Sequence, residues 1–313
     1  MQRVGIIGGS GFIGSYVTRT FLNHGFEVKV SATDISKEEK YKHLMELPHA
    51  DQLHISELNV ENKAALQDFV HDCDIVIHGG TPFILDVQDP QTQLFDPTVK
   101  GTKNFLEVVN ATRGIQKVIF IASVASYNTN FPMPADGKTP LDIIDENTEK
   151  FIGAESHPYG QAKFLANKTV EKFIEQNPNL PFEISSVSPV MVCGKALSNR
   201  EDSTSGGMQF LFKNKIAPNP FVQMMYDTDI AFAIVDVANV AEAIYKLAVT
   251  KGLHGKNYLL SSETYSVSDM SLMLNQQEPK NQGTIIYSNV LVKKDLGIGF
   301  IPAKQTLQNY STP

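Results

Sequence analysis

Tyr159 and Lys163 form the pair of side chains with the most direct chemical meaning in this sequence. They are one helical turn apart in a stretch, 158–176, whose pattern predicts a helix. An ammonium group beside a phenol favours the phenolate and lowers the phenol pKa from its usual value of about 10. Such a phenol could donate a proton to a substrate near neutral pH. The same spacing occurs by chance in many helices, so the pair needs support from elsewhere in the chain.

Ser123 is a second candidate for chemistry. It follows the apolar run 118–121, which predicts a buried strand, so it stands at the carboxyl end of that strand. Open α/β sheets bind their ligands at this edge, where a hydroxyl can hydrogen-bond a substrate carbonyl. Alternatively, Ser123 caps a turn, as serines at strand ends often do.

Three glycines near the start of the chain predict a phosphate-binding turn. Gly8, Gly11 and Gly14 follow the apolar run 4–7 and lead into a helical pattern. Glycine removes the Cβ where a pyrophosphate must approach the backbone, and the following helix offers free N–H groups and a partial positive charge. The alternative is an ordinary tight turn between a strand and a helix.

The elements that must position these residues alternate between strand and helix. We predict strands at 4–7, 27–31, 53–58, 75–78 and 117–122, and helices at 14–23, 38–47, 62–70 and 97–111. Because the strands are short and apolar on both faces, helices are expected to cover both sides of a parallel sheet. The fold class predicted is therefore α/β, with a Rossmann-type doubly wound parallel sheet.

The pattern changes in the middle and at the end of the chain. Residues 128–156 are rich in turn formers and predict a long loop over a site, and beyond about residue 190 the elements become shorter. We assign residues 1–188 to a dinucleotide-binding domain, to which a strand and helix within 229–250 are expected to return. Residues 189–228 and 251–313 are assigned to a smaller, mainly C-terminal α+β lobe that binds the substrate.

Composition narrows the classes of function. The net charge of −7 argues against binding to a nucleic-acid backbone. The sequence shows neither a basic leader with an apolar core nor an apolar run near eighteen residues, so we expect no membrane segment and a cytoplasmic location. Cys73 and Cys193 are the only cysteines; they indicate neither a disulfide framework nor a metal site.

The order of these features, glycine turn, strand-end serine and Tyr-x-x-x-Lys helix, resembles the extended short-chain dehydrogenase/reductase superfamily. Finer motifs resemble its dihydroflavonol 4-reductase-like branch within the NAD-dependent epimerase family; they are His78-Gly79-Gly80-Thr81-Pro82, Pro97-Thr98-Val99-Lys100-Gly101-Thr102 and Ser188-Pro189-Val190-Met191-Val192-Cys193-Gly194.

The resemblance implies roles for the three chemical residues. Tyr159 would donate the proton, Lys163 would hold the nicotinamide ribose and lower the tyrosine pKa, and Ser123 would position the carbonyl. It also implies a cofactor-binding set, which besides Tyr159 and Lys163 comprises Gly8, Gly11, Phe12, Ile13, Gly14, Thr33, Lys40, Asn59, Val60, Gly79, Gly80, Thr81, Pro189 and Val192. Asn128 falls where flavonoid reductases carry a substrate-contacting asparagine, although a turn asparagine is the other interpretation.

The choice between NADP and NAD depends on the end of the second strand. An NAD enzyme usually has an acid where this chain has Ala32, and the branch usually has an arginine for the 2′-phosphate of NADP where it has Thr33. Asp34 lies two residues late for the ribose acid, whereas Lys40 stands where the branch has a second phosphate-binding lysine. We expect NADP, with NAD as the alternative.

The leading hypothesis is an NADP(H)-dependent reductase of a small ketone or aldehyde, acting as a monomer or homodimer. A sugar-nucleotide epimerase or dehydratase is the first alternative, but it calls for a diphosphate-binding arginine in the C-terminal lobe. Arg200 is the only arginine after Arg113. A non-catalytic NAD(P)-binding regulator is the second alternative, and it would have no need to retain Ser123, Tyr159 and Lys163.

Overall fold

In the computed structural model, residues 1–79, 88–139, 142–198 and 204–310 are described, with side chains omitted at 204–206. The strands are β1 (Arg3–Ile7), β2 (Glu27–Ala32), β3 (Leu53–Glu57), β4 (Ile75–His78), β5 (Lys117–Ile121), β6 (Glu183–Pro189), β7 (Met191–Cys193), β8 (Ala231–Asp236), β9 (Asn257–Leu260) and β10 (Glu263–Ser266). The helices are α1 (Phe12–Asn23), α2 (Lys42–Met45), α3 (Lys63–Val70), α4 (Gly101–Ala111), α5 (Pro158–Gln176), α6 (Thr204–Asn214), α7 (Pro220–Asp227), α8 (Val237–Val249), α9 (Val267–Leu274), α10 (Val290–Leu296) and α11 (Ala303–Tyr310).

The larger sheet has seven strands in the order β3-β2-β1-β4-β5-β6-β9, and every neighbouring pair is parallel. Apolar residues of α1 and α8 pack on one face of this sheet, and those of α3, α4 and α5 pack on the other. The predicted doubly wound α/β fold is confirmed. All the βα turns lie at one edge, where β1 and β4 are neighbours although β2 and β3 intervene in the chain.

A smaller sheet lies beyond the first, in the order β10-β8-β7. β8 pairs parallel to β7 and antiparallel to β10. A third apolar core joins this sheet to helices of the C-terminal part of the chain. The second, smaller lobe that the sequence predicted is therefore present.

The placement of two strands differs from the prediction. We expected the strand within 229–250 to return to the main sheet, but β8 belongs to the smaller sheet; only its helix, α8, packs against α1. β9 instead completes the main sheet. The reason is physical: Ala233 and Val235 pack into the core shared with the main sheet, while Phe232 and Ile234 pack into the third core. A strand buried on both faces gives the same sequence pattern in either sheet.

Two predicted helices also take another form. The segment predicted as a helix from residue 97 starts earlier, as a π-helix over Gln91–Lys100 that continues directly into α4. The segment 38–47 divides into a 3-10 turn at Glu38–Lys40 and the short α2. Among the described residues, no helix is long and apolar enough to cross a membrane.

Candidate active site

A cleft of about 470 Å³ runs between the carboxyl edge of the main sheet and the smaller sheet. This volume is in the range of small-molecule sites. One end is formed by the glycine turn, and the catalytic candidates line its middle. The predicted site residues that line it are Gly8, Gly11, Phe12, Ile13, Gly14, Gly79, Ser123, Tyr159, Lys163, Pro189 and Val192.

The geometry of the glycine turn fits a dinucleotide pyrophosphate. Gly8 has φ +83°, and the N–H of Gly11 donates to the Gly8 carbonyl over 3.1 Å. A Cβ at Gly14 would lie 2.1 Å from that same carbonyl oxygen, so only glycine allows α1 to approach the turn this closely. The N-cap residue Gly11 offers no side-chain hydrogen bond to α1, which leaves the first N–H groups of the helix for an anion.

Ser123 caps a turn and also lines the cleft. Its Oγ accepts from the Ala125 N–H over 3.3 Å and thereby caps the 3-10 turn Val124–Ser126 after β5. The same hydroxyl is hydrogen-bonded to the phenol of Tyr159, which counteracts part of the rise in the Tyr159 pKa. The serine therefore holds the phenol at the strand end while facing the cleft.

The N-terminus of α5 fixes the position of Tyr159. Pro158 is the first helical residue, and the N-cap His157 accepts from the Tyr159 N–H through Nδ1 over 3.2 Å. A Cβ at Gly160 would lie 2.9 Å from the Thr129 carbonyl oxygen, so this turn of the helix packs directly on the loop after β5. His157 also lines the cleft. Its place before Pro158 was the one signal that could have revealed it.

Lys163 is buried beneath the cleft and points to the end of β5. Its Nζ donates to the Ile121 carbonyl over 3.1 Å, and only 7% of the residue is exposed. Burial lowers the pKa of Lys163 to about 8 because a charge is costly away from water.

The expected lowering of the Tyr159 pKa is wrong for this structure. Burial raises the pKa of Tyr159 above 10, and the hydrogen bond from Ser123 opposes this rise only in part. Helical spacing places Lys163 one turn away, but the lysine directs its ammonium at the Ile121 carbonyl. The sequence indicated which residues are neighbours; it could not indicate which acceptor the ammonium takes.

Several predicted cofactor contacts do not line the cleft. Thr33 is exposed at the end of β2, and Lys40 lies in the 3-10 turn that follows. Asn59 is exposed and accepts from the Glu61 N–H over 3.0 Å, while Val60 packs against the core under α3 and α4. The predicted contacts Gly80 and Thr81, and also Arg200, lie outside the described residues.

Asp34, two residues beyond the end of β2, is bound within its own turn. One carboxylate oxygen accepts from both the N–H and the hydroxyl of Ser36, over 3.0 and 2.6 Å, and the other lies 3.5 Å from Lys37 Nζ. These bonds lower the pKa of Asp34. Ala32, where an NAD enzyme has its acid, is buried.

Asn128 does not line the cleft, which corrects the prediction that it contacts the substrate. It is fully buried, and its amide donates to the Met133 carbonyl over 2.8 Å and to the Tyr287 hydroxyl over 3.2 Å. Its Oδ1 accepts from the Asn130 N–H over 3.0 Å. These bonds tie the loop after β5 together, in keeping with the interpretation as a turn asparagine.

The end of the cleft away from the glycine turn is apolar. Its wall is built by Phe131, Met191, Met208, Phe221, Met225 and Phe232. Among the described residues that line the whole cleft, Lys163 is the only lysine, arginine, aspartate or glutamate. These apolar residues carry no local signal, since they come from a loop, two strands and two helices that only the fold brings together.

A model of the NAD dependent epimerase/dehydratase family matches residues 4–261. The chain belongs to this family. Its relatives include cinnamoyl-CoA reductase CAD2 of Medicago truncatula, 31% identical over 61% of this chain and 58% of that protein. They also include an anthocyanidin reductase of Vitis vinifera, 25% identical over 97% of this chain and 96% of the relative.

Among solved structures, this family member resembles yeast methylglyoxal/isovaleraldehyde reductase Gre2 complexed with NADPH. The TM-score is 0.80 at 21% identity, over 99% of this chain and 97% of the yeast chain, so the likeness concerns the fold. The part that matches the epimerase/dehydratase family contains the glycine turn, Ser123, and the Tyr159 and Lys163 pair, and it extends through both sheets as far as β9.

Proposed function

We propose that this chain is an NADP(H)-dependent reductase of a small, apolar ketone or aldehyde. The observation that carries the proposal is the convergence of Ser123, Tyr159 and Lys163 on one cleft, whose two ends are the glycine turn and an apolar wall. The reductase names of the relatives support the same class of reaction.

Each of the three residues has a distinct role in this proposal. Ser123 donates a hydrogen bond to the substrate carbonyl oxygen, and Tyr159 transfers its phenolic proton to that oxygen as the carbonyl becomes an alcohol. Lys163, held at the Ile121 carbonyl, supplies a positive charge that stabilises the resulting phenolate. The cofactor, when bound, supplies the hydride.

The residues present suit a dinucleotide at one end of the cleft. Gly8, Gly11 and Gly14 would hold the pyrophosphate through backbone N–H groups at the start of α1. Lys163 would hold the nicotinamide ribose.

NADP is favoured over NAD by the end of β2. Asp34 is already bound by Ser36 and Lys37, so the described turn offers no uncommitted carboxylate to a ribose hydroxyl. Thr33 is exposed there, and Lys40 adds a positive charge to the turn that follows. The yeast structural neighbour is complexed with NADPH.

The apolar end of the cleft favours a carbonyl reductase over a sugar-nucleotide epimerase. A sugar nucleotide brings a diphosphate and many hydroxyl groups, which need cationic and polar partners. The described lining offers phenylalanine and methionine side chains there, and Lys163 lies at the catalytic centre.

The experiment that tests the proposal is an NADPH-oxidation screen with aliphatic and aromatic ketones and aldehydes, flavanonols and sugar nucleotides, repeated with NADH. We expect turnover of apolar carbonyl compounds and tighter binding of NADPH than of NADH. An epimerase consumes no net cofactor, so the sugar nucleotides are also analysed for changed products. Conversion of sugar nucleotides without reduction of any carbonyl compound would favour the epimerase alternative, and tighter NADH binding would overturn the cofactor preference. Cofactor binding without turnover of any substrate would favour the regulator.

A further inference from the structure

The short helix α2 is joined to α1 by one side chain, His43. Its neighbour Leu44 is fully buried in the core on the α1 side of the main sheet. The Nε2 of His43 lies 2.7 Å from the hydroxyl oxygen of Ser15, a residue of α1 that is 2% exposed. The segment that follows β2 is thereby held against the helix whose start forms part of the glycine turn.

The direction of this hydrogen bond follows from the other bond that Ser15 makes. The Ser15 hydroxyl donates to the Gly11 carbonyl over 2.7 Å, and a carbonyl oxygen can only accept. Because a hydroxyl has a single hydrogen, the imidazole of His43 is the donor at the Ser15 oxygen, through its Nε2–H. Gly11 is the N-cap of α1, so this chain of bonds runs from α2 to the glycine turn.

The turn between β2 and α2 is bonded within itself. The Tyr41 hydroxyl donates to the Ile35 carbonyl over 2.7 Å, and the Lys40 N–H donates to the Lys37 carbonyl over 3.0 Å. Both bonds run across the turn, and Tyr41 directly precedes α2. Lys40 therefore keeps a fixed place relative to α2, and a change in the orientation of α2 moves Lys40 with it.

The turn is fastened to the glycine-turn end of the cleft at two points. Where it begins, Ser31 of β2 accepts from the Gly8 N–H through Oγ over 3.0 Å. Where it ends, His43 donates to Ser15. Lys40 lies between these two points, three residues before His43. The bond from His43 thus helps to determine where Lys40 stands relative to the glycine turn.

The charges of the turn make its orientation important for an anion. Residues 34–40 carry three carboxylates against two lysines, and Lys37 lies 3.5 Å from the Asp34 carboxylate. Glu38 and Glu39 stand directly before Lys40. Since electrostatic attraction falls with distance, a phosphate is attracted here only if Lys40 lies closer to it than the glutamates do. The net charge of the turn cannot supply this attraction, but its orientation can.

We propose that His43 is a positioning residue for the 2′-phosphate of NADP(H). By donating to Ser15, it holds α2 in one orientation about the buried Leu44. This keeps Lys40 within reach of the phosphate when the glycine turn binds the pyrophosphate. His43 acts through the turn and does not itself touch the phosphate. Its consequence for cofactor preference rests on the proposed function; its consequence for the turn in the free protein does not.

The first test compares the Kd values of NADPH and NADH, measured by cofactor fluorescence. His43→Leu removes the donor, so the Kd for NADPH should rise about tenfold, while the Kd for NADH should stay within about twofold of wild type. His43→Gln returns an amide N–H at similar reach and should restore the wild-type preference. A parallel rise of both Kd values, no rise in either, or a failure of His43→Gln to restore the preference overturns the proposal.

Further variants test whether His43 acts through Ser15 and Lys40. In a Ser15→Ala or a Lys40→Met protein, adding His43→Leu should change the preference between the cofactors no further, because one part of the link is already missing. Additive losses overturn the proposal. The matched control is His54→Leu, at an exposed position on β3, which should leave both Kd values unchanged. If His43→Leu does not fold, His43→Met removes the same donor and permits the same comparisons.

The second test measures hydrogen–deuterium exchange in the protein without cofactor. The N–H groups of Lys40, Tyr41 and Leu44 are bonded to carbonyls within the turn and α2, so they should exchange faster in His43→Leu than in wild type. His43→Gln should exchange at the wild-type rate, and unchanged exchange in His43→Leu overturns the proposal. If the wild-type protein binds neither cofactor, or prefers NADH, the proposed cofactor preference fails, and the exchange rates still decide whether His43 holds the turn.

Discussion

The two ends of the cleft are built from different materials. The glycine-turn end is made of backbone from one short segment, Gly8 to Gly14, in which a carbonyl and the start of α1 nearly touch. The apolar end is made of side chains from Phe131, Met191, Met208, Phe221, Met225 and Phe232, which are far apart in the chain. The glycine-turn end is therefore expected to tolerate no added atom, whereas the apolar end can adjust by repacking its side chains.

The largest effect on carbonyl reduction is expected at Tyr159, whose phenol lies between the two ends of the cleft. Tyr159→Phe removes the proton donor and leaves the ring packing, so carbonyl reduction should fall about a thousandfold. NADPH binding, followed by cofactor fluorescence, should stay within about twofold of wild type, because the glycine turn is unchanged. Turnover that persists in this variant would remove Tyr159 from the mechanism.

The addition of one methyl group at the glycine turn should weaken NADPH binding. Gly14→Ala places a Cβ 2.1 Å from the Gly8 carbonyl oxygen, so the turn must open, and the Kd for NADPH should rise roughly 100-fold. The matched control is Gly101→Ala, at the start of α4, where the nearest atom would be 3.7 Å away. That control should keep wild-type binding, and it should be up to about 1 kcal/mol more stable because alanine favours a helix over glycine. Equal behaviour of the two variants would refute the steric argument.

The buried Lys163 should lower the stability of the folded protein by an amount that depends on pH. Folding lowers the pKa of Lys163 from 10.5 to about 8, so below pH 8 both states are protonated and the folded state bears the full penalty. Between these values the unfolded chain binds more protons, and the stability of the wild-type protein rises with pH. The free energy of unfolding of Lys163→Met should therefore exceed that of the wild-type protein by up to about 3 kcal/mol near neutral pH.

The advantage of Lys163→Met should shrink as the pH approaches 10.5. Urea unfolding at several pH values measures this difference in stability. A Lys163→Met protein that is less stable than wild type at neutral pH would contradict the prediction. Carbonyl reduction should be lost in the same variant, since the charge that stabilises the phenolate is removed.

The smallest effect is expected at the side-chain end. Phe221 lines the cleft and is 37% exposed, so Phe221→Ala should raise KM for an apolar carbonyl substrate about tenfold and leave the NADPH Kd unchanged. Phe210 on α6 is 52% exposed and does not line the cleft, which makes Phe210→Ala the matched control with unchanged KM. A weaker NADPH complex in Phe221→Ala would show that the two ends are not separable.

The same contrast explains how much could be predicted from the sequence. The strands of the main sheet from β1 to β5, the length of α5 and the glycine turn are all predicted by the sequence, because apolar periodicity and glycine spacing are local signals. The strand β8 was assigned to the wrong sheet, since both of its faces are buried. Burial on both faces leaves nothing in the pattern that distinguishes the two sheets.

The candidate site follows the same rule. Ser123, Tyr159 and Lys163 were found from their spacing relative to strand and helix ends. The position of Asn128 in the chain predicts a substrate contact, yet hydrogen bonds to Met133, Asn130 and Tyr287 hold its side chain away from the cleft. The rise in the Tyr159 pKa could not be foreseen either, because desolvation depends on residues that only the folded chain brings near.

The path of the chain between the two sheets limits how the substrate range of this protein can change in evolution and in engineering. After completing β7 and β8 in the smaller sheet, the chain returns to add β9 beside β6, and then leaves again for β10. No single junction separates the cofactor end from the apolar end. A chimera joined after β6 would carry a foreign strand at the edge of the main sheet. New substrate ranges are therefore expected to arise by point substitution along the apolar wall, with wholesale exchange of a C-terminal segment disfavoured by this topology.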